Sequence, residues 1–470
     1  MNVLPLRPWP LGNDSCLFVS DTGAFFAGDE AFLDRQIESS LTPPDHAFLA
    51  RQGHAYHAEG DVAHTAHAHG VAKRFARAGT LDYLILVPTL RCNLSCTYCQ
   101  VSRAPIDKAG FDWSEETLSA VLALVDRLET PSIKIEFQGG EPTLRPDLLR
   151  AVIERAQRFP DRQFVVCTNL ATLSAEIIDI FDRPDVFIST SLDGDSKTHA
   201  RQRTGSAAEA QRFAENLDRL LRRYGPDKIA ALPTVDPQSP PEPAELIEAF
   251  ASRGLRGIYL RPINYQGFAR KRHAHSREQD VAWRAYYERF VGALIERNWA
   301  DQTQVLEETY LSHCLKRIFQ PGHDRHVDLR NPNAAGVDYV VIDHDGRAYP
   351  TDEARMLARS GVIDLSIGDV ATGWDTPARQ LLNDNATNAL DPECQRCAFQ
   401  PYCGRDVVDD LARYGTTDLK RTETAFCRRH MHLFDFAFRL IYDPNEAVQY
   451  SLRRWLKVPG DKVCLGAVLQ

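Results

Sequence analysis

The stretch Arg91-Cys92-Asn93-Leu94-Ser95-Cys96-Thr97-Tyr98-Cys99 contains three closely spaced cysteines. Its cysteines have C-x3-C-x2-C spacing, in which three thiolates can each bind one iron of a 4Fe-4S cube and leave the fourth iron without a protein ligand. We therefore predict that Cys92, Cys96 and Cys99 bind a cluster with one open iron. The alternative is zinc, which prefers paired C-x2-C knuckles in a tetrahedral set.

The residues around this stretch predict a partial β/α barrel. Tyr83 to Thr89 is an apolar, β-rich run typical of a buried strand. From Leu81 to about Trp299, strand and helix patterns alternate, which favours a parallel (β/α)6 sheet. The six predicted strands are residues 83–89, 132–137, 163–167, 186–191, 228–235 and 257–261, and a helix is predicted at residues 207–224. The cysteines then follow the carboxyl end of the first strand, where active sites of β/α barrels lie. We expect three domains, at residues 1–75, 76–300 and 301–470.

Composition limits the possible partners and the compartment. The chain has 470 residues, a formal net charge of −9 and eleven cysteines. An acidic balance argues against nucleic acid as a partner, and no apolar run has the roughly 20 residues that a membrane span needs. The first residues do not have the pattern of a signal peptide. We expect a cytoplasmic protein, in which cysteines favour metal or catalytic roles over disulfides.

Three motifs end strands of the predicted barrel. Gln138-Gly139-Gly140-Glu141-Pro142 follows the second strand, where two glycines allow a ligand to approach the backbone and Glu141 offers an acceptor for a cation. The segments Cys167 to Asn169 and Ser191 to Gly194 end the next two strands, and we expect Cys167 to be a packed core thiol.

The cysteine loop, with Tyr98 before its third cysteine, and the GGEP motif resemble the radical S-adenosylmethionine (radical SAM) superfamily. This resemblance implies a 4Fe-4S cluster and S-adenosyl-L-methionine, whose reductive cleavage gives a 5′-deoxyadenosyl radical. The cofactor-binding residues that it implies are Tyr98, Gln138, Gly139, Gly140, Glu141, Asn169, Ser191 and Arg203.

A second cysteine group follows a predicted hairpin at residues 337–349. It consists of Cys394, Cys397, Cys403 and Cys427. The arrangement resembles the SPASM/twitch auxiliary-cluster domains of the superfamily, but three of their seven cysteines are missing, with Thr351 and Val407 at two of those positions. We expect one fully ligated auxiliary 4Fe-4S cluster; structural zinc is the alternative. Asp352 follows the hairpin and is a candidate base.

Four segments together resemble the radical SAM maturases of His-Xaa-Ser peptide systems. They are Cys99 to Arg103, Glu136 to Pro142, Asp352 to Met356 and Cys397 to Gly404. This implies modification of a ribosomally synthesised precursor peptide, with side-chain crosslinking as the expected reaction and a cellular electron donor as a second partner. The alternatives are a sulfatase-maturing, formylglycine-forming enzyme and a non-catalytic zinc-binding interaction protein.

The first 75 residues contain a hairpin pattern from Leu17 to Phe26 and helical patterns from Glu30 to Ile37 and from Asp45 to Gln52. This order resembles the winged-helix modules with which peptide-modifying enzymes bind a leader peptide; a packing cap on the barrel is the alternative. The Ala-, Gly- and His-rich residues 54–69 are predicted to form a loop with solvated histidines.

Overall fold

The computed structural model describes residues 1–75, 80–278, 280–319, 326–458 and 468–469. Within these ranges, none of the helices combines the length and the apolar character that crossing a membrane would require.

The N-terminal module consists of an antiparallel sheet, a short strand pair and three helices. Its elements are β1 (Asn2–Val3), β2 (Leu6–Gly12), β3 (Ser15–Ser20), β4 (Phe25–Asp29), α1 (Glu30–Ile37), α2 (Pro43–Arg51), β5 (Ala55–Tyr56) and α3 (Val62–Phe75). Strands β2, β3 and β4 form the sheet in that order, and β1 pairs with β5. The predicted hairpin and both predicted helices are confirmed, while β2 and α3 were missed.

The prediction of a histidine-rich loop was wrong for residues 62–69, although His57 and His69 are exposed as expected. The alanines of that stretch are strong helix formers, and α3 runs through it. His54 is not solvated either, since its ring centroid lies 5.0 Å from that of Phe26 and burial lowers its pKa to about 4.

The N-terminal module packs on the C-terminal part of the chain. The Trp9 ring lies 4.7 Å from the Phe399 ring, and Trp9 Nε1 donates to Asp435 Oδ1 at 2.8 Å. Tyr402 Oη donates to the Gly23 carbonyl at 2.8 Å. Because Phe399 and Tyr402 lie between Cys397 and Cys403, the module is in direct contact with the segment that carries the second cysteine group.

The middle of the chain alternates strands and helices. Its elements are β6 (Tyr83–Thr89), β7 (Arg91–Cys92), β8 (Ala104–Pro105), α4 (Glu115–Arg127), β9 (Ser132–Gly139), α5 (Pro146–Arg155), β10 (Asp161–Cys167), α6 (Ala175–Phe181), β11 (Val186–Ser191), α7 (Ser196–His199), α8 (Ala207–Tyr224), β12 (Ile229–Leu232), β13 (Thr234–Val235), α9 (Pro243–Ala251), β14 (Gly257–Ile258), β15 (Arg261–Pro262), α10 (Ala269–Arg272), α11 (Asp280–Ala300), β16 (Glu307–Glu308) and α12 (Thr309–Phe319). Strands β6, β9, β10, β11 and β12 are adjacent and parallel.

The last two predicted barrel strands are broken. Pro233 lacks the N–H that a ladder needs, and it separates β12 from β13 within the predicted strand 228–235. The predicted strand 257–261 splits into β14, which pairs with β16, and β15, which pairs with β13. The α/β partial-barrel fold is confirmed, but the predicted sixth strand does not extend the main sheet.

The C-terminal part begins with the predicted hairpin. Its elements are β17 (Tyr339–Ile342), β18 (Arg347–Tyr349), α13 (Asp352–Arg359), β19 (Gly368–Asp369), α14 (Pro377–Asp384), α15 (Pro392–Arg396), α16 (Val407–Tyr414), α17 (Ala425–Ile441) and α18 (Glu446–Leu456). Strand β17 pairs in parallel with β6, so the hairpin continues the barrel sheet, whose order is β12-β11-β10-β9-β6-β17-β18-β19. This continuity brings α13 to the mouth of the barrel.

Candidate metal and cofactor site

Cys92, Cys96 and Cys99 lie close together beyond the carboxyl end of β6 and line one cavity. Burial, followed by the charges of Glu141 and of the other two cysteines, raises the pKa of the Cys92 thiol to about 12. The Leu94 N–H donates to Cys92 Sγ at 3.4 Å, and Asn169 Nδ2 donates to the same sulfur at 3.7 Å. Thiolates gathered in such a place need a positive centre, and N–H groups directed at sulfur are typical of iron-sulfur sites.

The cysteine loop is held by hydrogen bonds from two other segments. The Thr97 N–H donates to the Gln202 carbonyl at 2.8 Å, and the Phe268 N–H donates to the Cys99 carbonyl at 3.1 Å. The positions of the three thiols therefore depend on residues far away in the sequence.

Gly139 and Gly140 allow the loops after β6 and β9 to touch. A Cβ atom on Gly139 would lie 2.3 Å from the Thr89 carbonyl oxygen, and one on Gly140 would lie 2.3 Å from that of Arg91. Gly139 also has φ +124°, which disfavours other residues. These glycines are therefore required because the backbone of the cysteine loop, and not a ligand, approaches them closely. Both glycines also line the cavity described below.

Glu141 is buried and hydrogen-bonded within the protein. Its Oε1 accepts from Thr143 Oγ1 at 2.6 Å, and its Oε2 accepts from the Asn169 N–H at 2.7 Å. Burial raises the pKa of this carboxyl. The side chain braces the turn after β9 against the turn after β10, and it lies outside the set that lines the cavity. Its role as an ammonium acceptor stays a prediction.

Tyr98 is the centre of a buried polar network. Its hydroxyl donates to Asp193 Oδ2 at 2.5 Å and accepts from an Arg203 guanidinium nitrogen at 2.7 Å. The other Asp193 oxygen accepts from the Thr234 N–H at 3.0 Å. Asp193 was not predicted as a site residue, although it lies in the Ser191 to Gly194 turn, which was expected to end a barrel strand. The network joins the cysteine loop to the end of β11 and the start of β13.

A cavity of about 220 Å³ adjoins the three thiols. The predicted residues that line it are Cys92, Cys96, Tyr98, Cys99, Gln138, Gly139, Gly140, Asn169, Ser191, Arg203 and Asp352. Thr190 Oγ1 and Arg261 Nε also belong to lining residues, and neither atom has a hydrogen-bond partner in the described parts of the chain. Unpaired buried polar atoms are costly, so this cavity suits a polar ligand.

Sequence reasoning missed Glu136, which projects into the same cavity. Its carboxylate accepts from Tyr83 Oη at 2.8 Å, from Gln138 Nε2 at 2.6 Å and from Cys167 Sγ at 3.4 Å. The prediction of a packed core thiol at Cys167 was wrong, because Cys167 lines the cavity beside Glu136. The sequence signal for Glu136 was the alternation of side chains along β9, because Glu136 and Gln138 are two positions apart and therefore share one face of the strand.

Asp352 opens α13 at the edge of this cavity. Its Oδ1 accepts from Arg355 Nε at 2.8 Å, and Arg355 is fully buried. Burial raises the pKa of Asp352, and Arg355 acts in the opposite direction. Thr351 caps the helix by accepting from the Ala354 N–H at 3.1 Å, which gives Thr351 a structural role.

A second cavity of about 150 Å³ adjoins the first, and Gln100 and Arg261 line both. Its wall includes the carboxyl groups of Glu353 and Asp406 and the guanidinium of Arg429. Burial, followed by the charge of Asp352, raises the pKa of Glu353 to about 7. The two cavities give this end of the barrel room for more than one bound group.

Cys394, Cys397, Cys403 and Cys427 also come together. Cys394 lies on α15, Cys427 lies in the first turn of α17, and the other two belong to the loop after α15. Burial, followed by the charges of the other three cysteines, raises the pKa of Cys403. In the part of the chain that the structure describes, no three of these sulfur atoms lie within 4.8 Å of one another.

The Radical SAM superfamily model matches residues 86–251, which include the cysteine loop and strands β8 to β13. The chain contains a radical SAM domain. Its partial barrel, strand order and cysteine loop have the radical SAM α/β fold, as expected from the sequence.

Two curated relatives and one solved structure illustrate the similarity. GTP 3′,8-cyclase of Chlorobaculum tepidum is 32% identical over 32% of this chain and 43% of its own length. The cysteine-type anaerobic sulfatase-maturating enzyme of Clostridium novyi is 22% identical over 69% of this chain and 87% of its own length. The structure of histidine-tagged anSMEcpe with bound AdoMet has a TM-score of 0.62 at 16% identity, covering 80% of this chain and 98% of that one. The matches to the first relatives span only 39% to 46% of those relatives.

The radical SAM domain provides donors that fit its cofactors. Three thiols that converge on one cavity suit a cluster with one open iron. The guanidinium of Arg203 and the unpaired Thr190 hydroxyl suit the carboxylate and hydroxyl groups of S-adenosylmethionine. The predicted contacts of the individual residues with the cofactors stay predictions.

Proposed function

We propose that this protein is a radical SAM enzyme that modifies a ribosomally synthesised peptide, with side-chain crosslinking as the reaction. The observation that carries the proposal is the convergence of Cys92, Cys96 and Cys99 on the cavity lined by Tyr98 and Arg203. When bound there, the cluster and S-adenosylmethionine supply reductive cleavage of the sulfonium and hydrogen-atom abstraction from carbon.

The residues of the first cavity bind and orient the cofactor. Cys92, Cys96 and Cys99 hold the cluster, while Arg203, fixed by its bond to the Tyr98 hydroxyl, attracts a carboxylate. Gln138, Gly139, Gly140, Asn169 and Ser191 line the remaining wall. Glu141 fixes the turn that carries the two glycines.

We propose that Cys394, Cys397, Cys403 and Cys427 hold an auxiliary 4Fe-4S cluster. Zinc would draw its four sulfurs together, since a Zn–S distance of about 2.3 Å places tetrahedral ligands about 3.8 Å apart. A cube holds its thiolates on four different irons and so keeps them further apart. Among the described residues, neither cysteine group has three sulfurs within 4.8 Å of one another, a spacing that fits a cube and that a single zinc ion would have to shorten. Such a cluster has no open iron and therefore suits electron transfer.

Asp352 is the proposed base. Closed-shell product formation from a substrate radical releases one electron and usually a proton, and Asp352 lines the cavity in which that proton would appear. Burial raises its pKa, which favours proton uptake at a carboxylate oxygen. The Arg355 guanidinium donates a hydrogen bond to Asp352 Oδ1 and so fixes the orientation of this carboxylate.

A peptide substrate is supported by the second cavity, which extends the first beyond the cofactor residues. One structure of the similar anSMEcpe contains AdoMet and the Cp18Cys peptide. We propose that the N-terminal module binds a leader peptide and that a cellular electron donor reduces the enzyme. A sulfatase-maturing reaction is the alternative, and the relative from Clostridium novyi keeps it open. An interaction protein that only binds zinc would have no need of the cofactor cavity.

Anaerobic reconstitution with iron and sulfide, followed by reduction in the presence of S-adenosylmethionine, tests the proposal. We expect 5′-deoxyadenosine from the wild type and from Cys16→Ser, a control in the N-terminal sheet. Cys92→Ser should form none. Equal product from Cys92→Ser, or none from the loaded wild type with candidate peptides present, would refute the proposal.

A further inference from the structure

Asp236, His273 and His275 meet beyond the end of β13 and include no member of either cysteine group. Asp236 directly follows β13, and the two histidines follow α10. His275 Nε2 lies 3.0 Å from Asp236 Oδ1, and His273 Nδ1 lies 3.5 Å from Asp236 Oδ2. One potential ligand atom of each residue lies within 4.8 Å of those of the other two. The three side chains are 17% to 25% exposed, so an ion could enter and still keep a water molecule.

The distances match those around a zinc ion. Zinc binds imidazole nitrogen and carboxylate oxygen at about 2.0–2.2 Å, which places tetrahedral ligands about 3.4 Å apart. The two observed separations, 3.0 and 3.5 Å, join the two imidazoles to different oxygens of the Asp236 carboxylate and lie on either side of this value. Two histidines and one carboxylate are also a recurring ligand set for divalent transition metals.

An ion pair alone explains this group less well. The His275 contact has hydrogen-bond length, but the His273 contact is at the outer limit of one. The other ring nitrogen of His273, Nε2, is buried and has no hydrogen-bond partner in the described residues, so Nδ1 is the nitrogen that faces Asp236. An ion pair between His275 and Asp236 does not explain why the imidazole of His273 also faces this carboxylate.

We propose that Asp236, His273 and His275 form a third metal site, which binds one zinc ion. The three sites would differ in ligand chemistry: thiolates hold the iron-sulfur clusters, whereas nitrogen and oxygen ligands suit a single borderline-soft divalent ion.

The position of the site indicates its role. The segment before His273 lies on the cysteine loop, where the Phe268 N–H donates to the Cys99 carbonyl at 3.1 Å. On its other side, an Arg413 guanidinium nitrogen of α16 donates to the Ser276 carbonyl at 3.0 Å. A zinc ion bound here would link this segment to the end of β13 and would thereby help to fix the position of the cysteine loop.

Zinc binding to the iron-loaded protein tests the inference, with Zn²⁺ alone as the probe. We expect about one zinc per chain, with X-ray absorption showing only nitrogen and oxygen neighbours at about 2.0–2.1 Å. Sulfur neighbours at about 2.3 Å would place the zinc in a cysteine group and overturn the inference, as would the absence of bound zinc.

Two variants and a control make the test specific. Asp236→Asn keeps the shape of the side chain, and we expect it and His275→Ala to weaken zinc binding by about tenfold or more while iron content is unchanged. His69→Ala, on an exposed position of α3, is the control and should bind zinc like the wild type. Zinc should also slow amide hydrogen exchange in residues 267–277 of the wild type but not of Asp236→Asn. Wild-type zinc affinity in Asp236→Asn would refute the site.

Discussion

Replacing Gly140 by alanine tests the contact that shapes the cofactor site. The new Cβ would lie 2.3 Å from the Arg91 carbonyl oxygen and 2.4 Å from that of Leu90, whereas an ordinary contact begins at 3.4 Å. The chain that leads into Cys92 would therefore have to retreat by about 1 Å, and both obstacles are backbone atoms. A displacement of this size in a positioned group lowers a rate by about 100-fold, and overpacking of this kind destabilises by about 1–3 kcal/mol.

The assay follows 5′-deoxyadenosine formation and iron content in the same anaerobic preparation. Gly140→Ala should reduce the rate by about 100-fold and lower the melting temperature. Gly292→Ala is the control, because it lies within α11, has nothing within 4 Å of the new Cβ and gains helix propensity of about 1 kcal/mol. A Gly140→Ala enzyme with wild-type rate and stability would show that the two loops do not need this contact.

Three further predictions concern the second cavity, the buried network and the auxiliary site. Since burial raises the pKa of Glu353 from 4.5 to about 7, its contribution to stability is fully present below pH 4.5 and is lost as pH rises through 7; Glu353→Gln should remove about 3 kcal/mol of this pH dependence, measured by melting at about pH 4.5 and 8. Tyr98→Phe should destabilise by about 1–3 kcal/mol and weaken binding of S-adenosylmethionine, because it leaves buried partners unpaired; unchanged melting and affinity would contradict this. Replacing Cys403 and Cys427 by serine should halve the iron and keep 5′-deoxyadenosine formation, but abolish the modified peptide; peptide modification by this variant would exclude an electron-accepting role.

Most of the fold could be predicted because hydrophobic patterning and turn residues fix local structure. The strand Val186–Ser191 and the helix Ala207–Tyr224 have the predicted bounds. The failures came from tertiary context. Sequence alone could not show that β17 pairs with β6 across more than 250 residues, nor that the Gly257 to Arg261 run would be divided between two other partners.

The site was predictable where a motif carries its own chemistry. The seven cysteines fall into two groups in space as they do in sequence. The roles of their neighbours were less predictable, because they depend on which residues face each other after folding. Glu141 is hydrogen-bonded to Thr143 and Asn169, contacts that the motif did not reveal, and its role toward the ligand stays a prediction. Glu136 lines the cavity although the motif that contains it was not expected to place that residue in the site.

Anaerobic quantitation of iron, sulfide and 5′-deoxyadenosine on one reconstituted sample tests the central claim most directly. We predict about eight irons per chain in two 4Fe-4S clusters, together with 5′-deoxyadenosine and methionine in equal amounts after reduction with S-adenosylmethionine present. Zinc bound to sulfur in place of iron, or a fully loaded and reduced protein that forms no 5′-deoxyadenosine even with candidate peptides, would contradict the account.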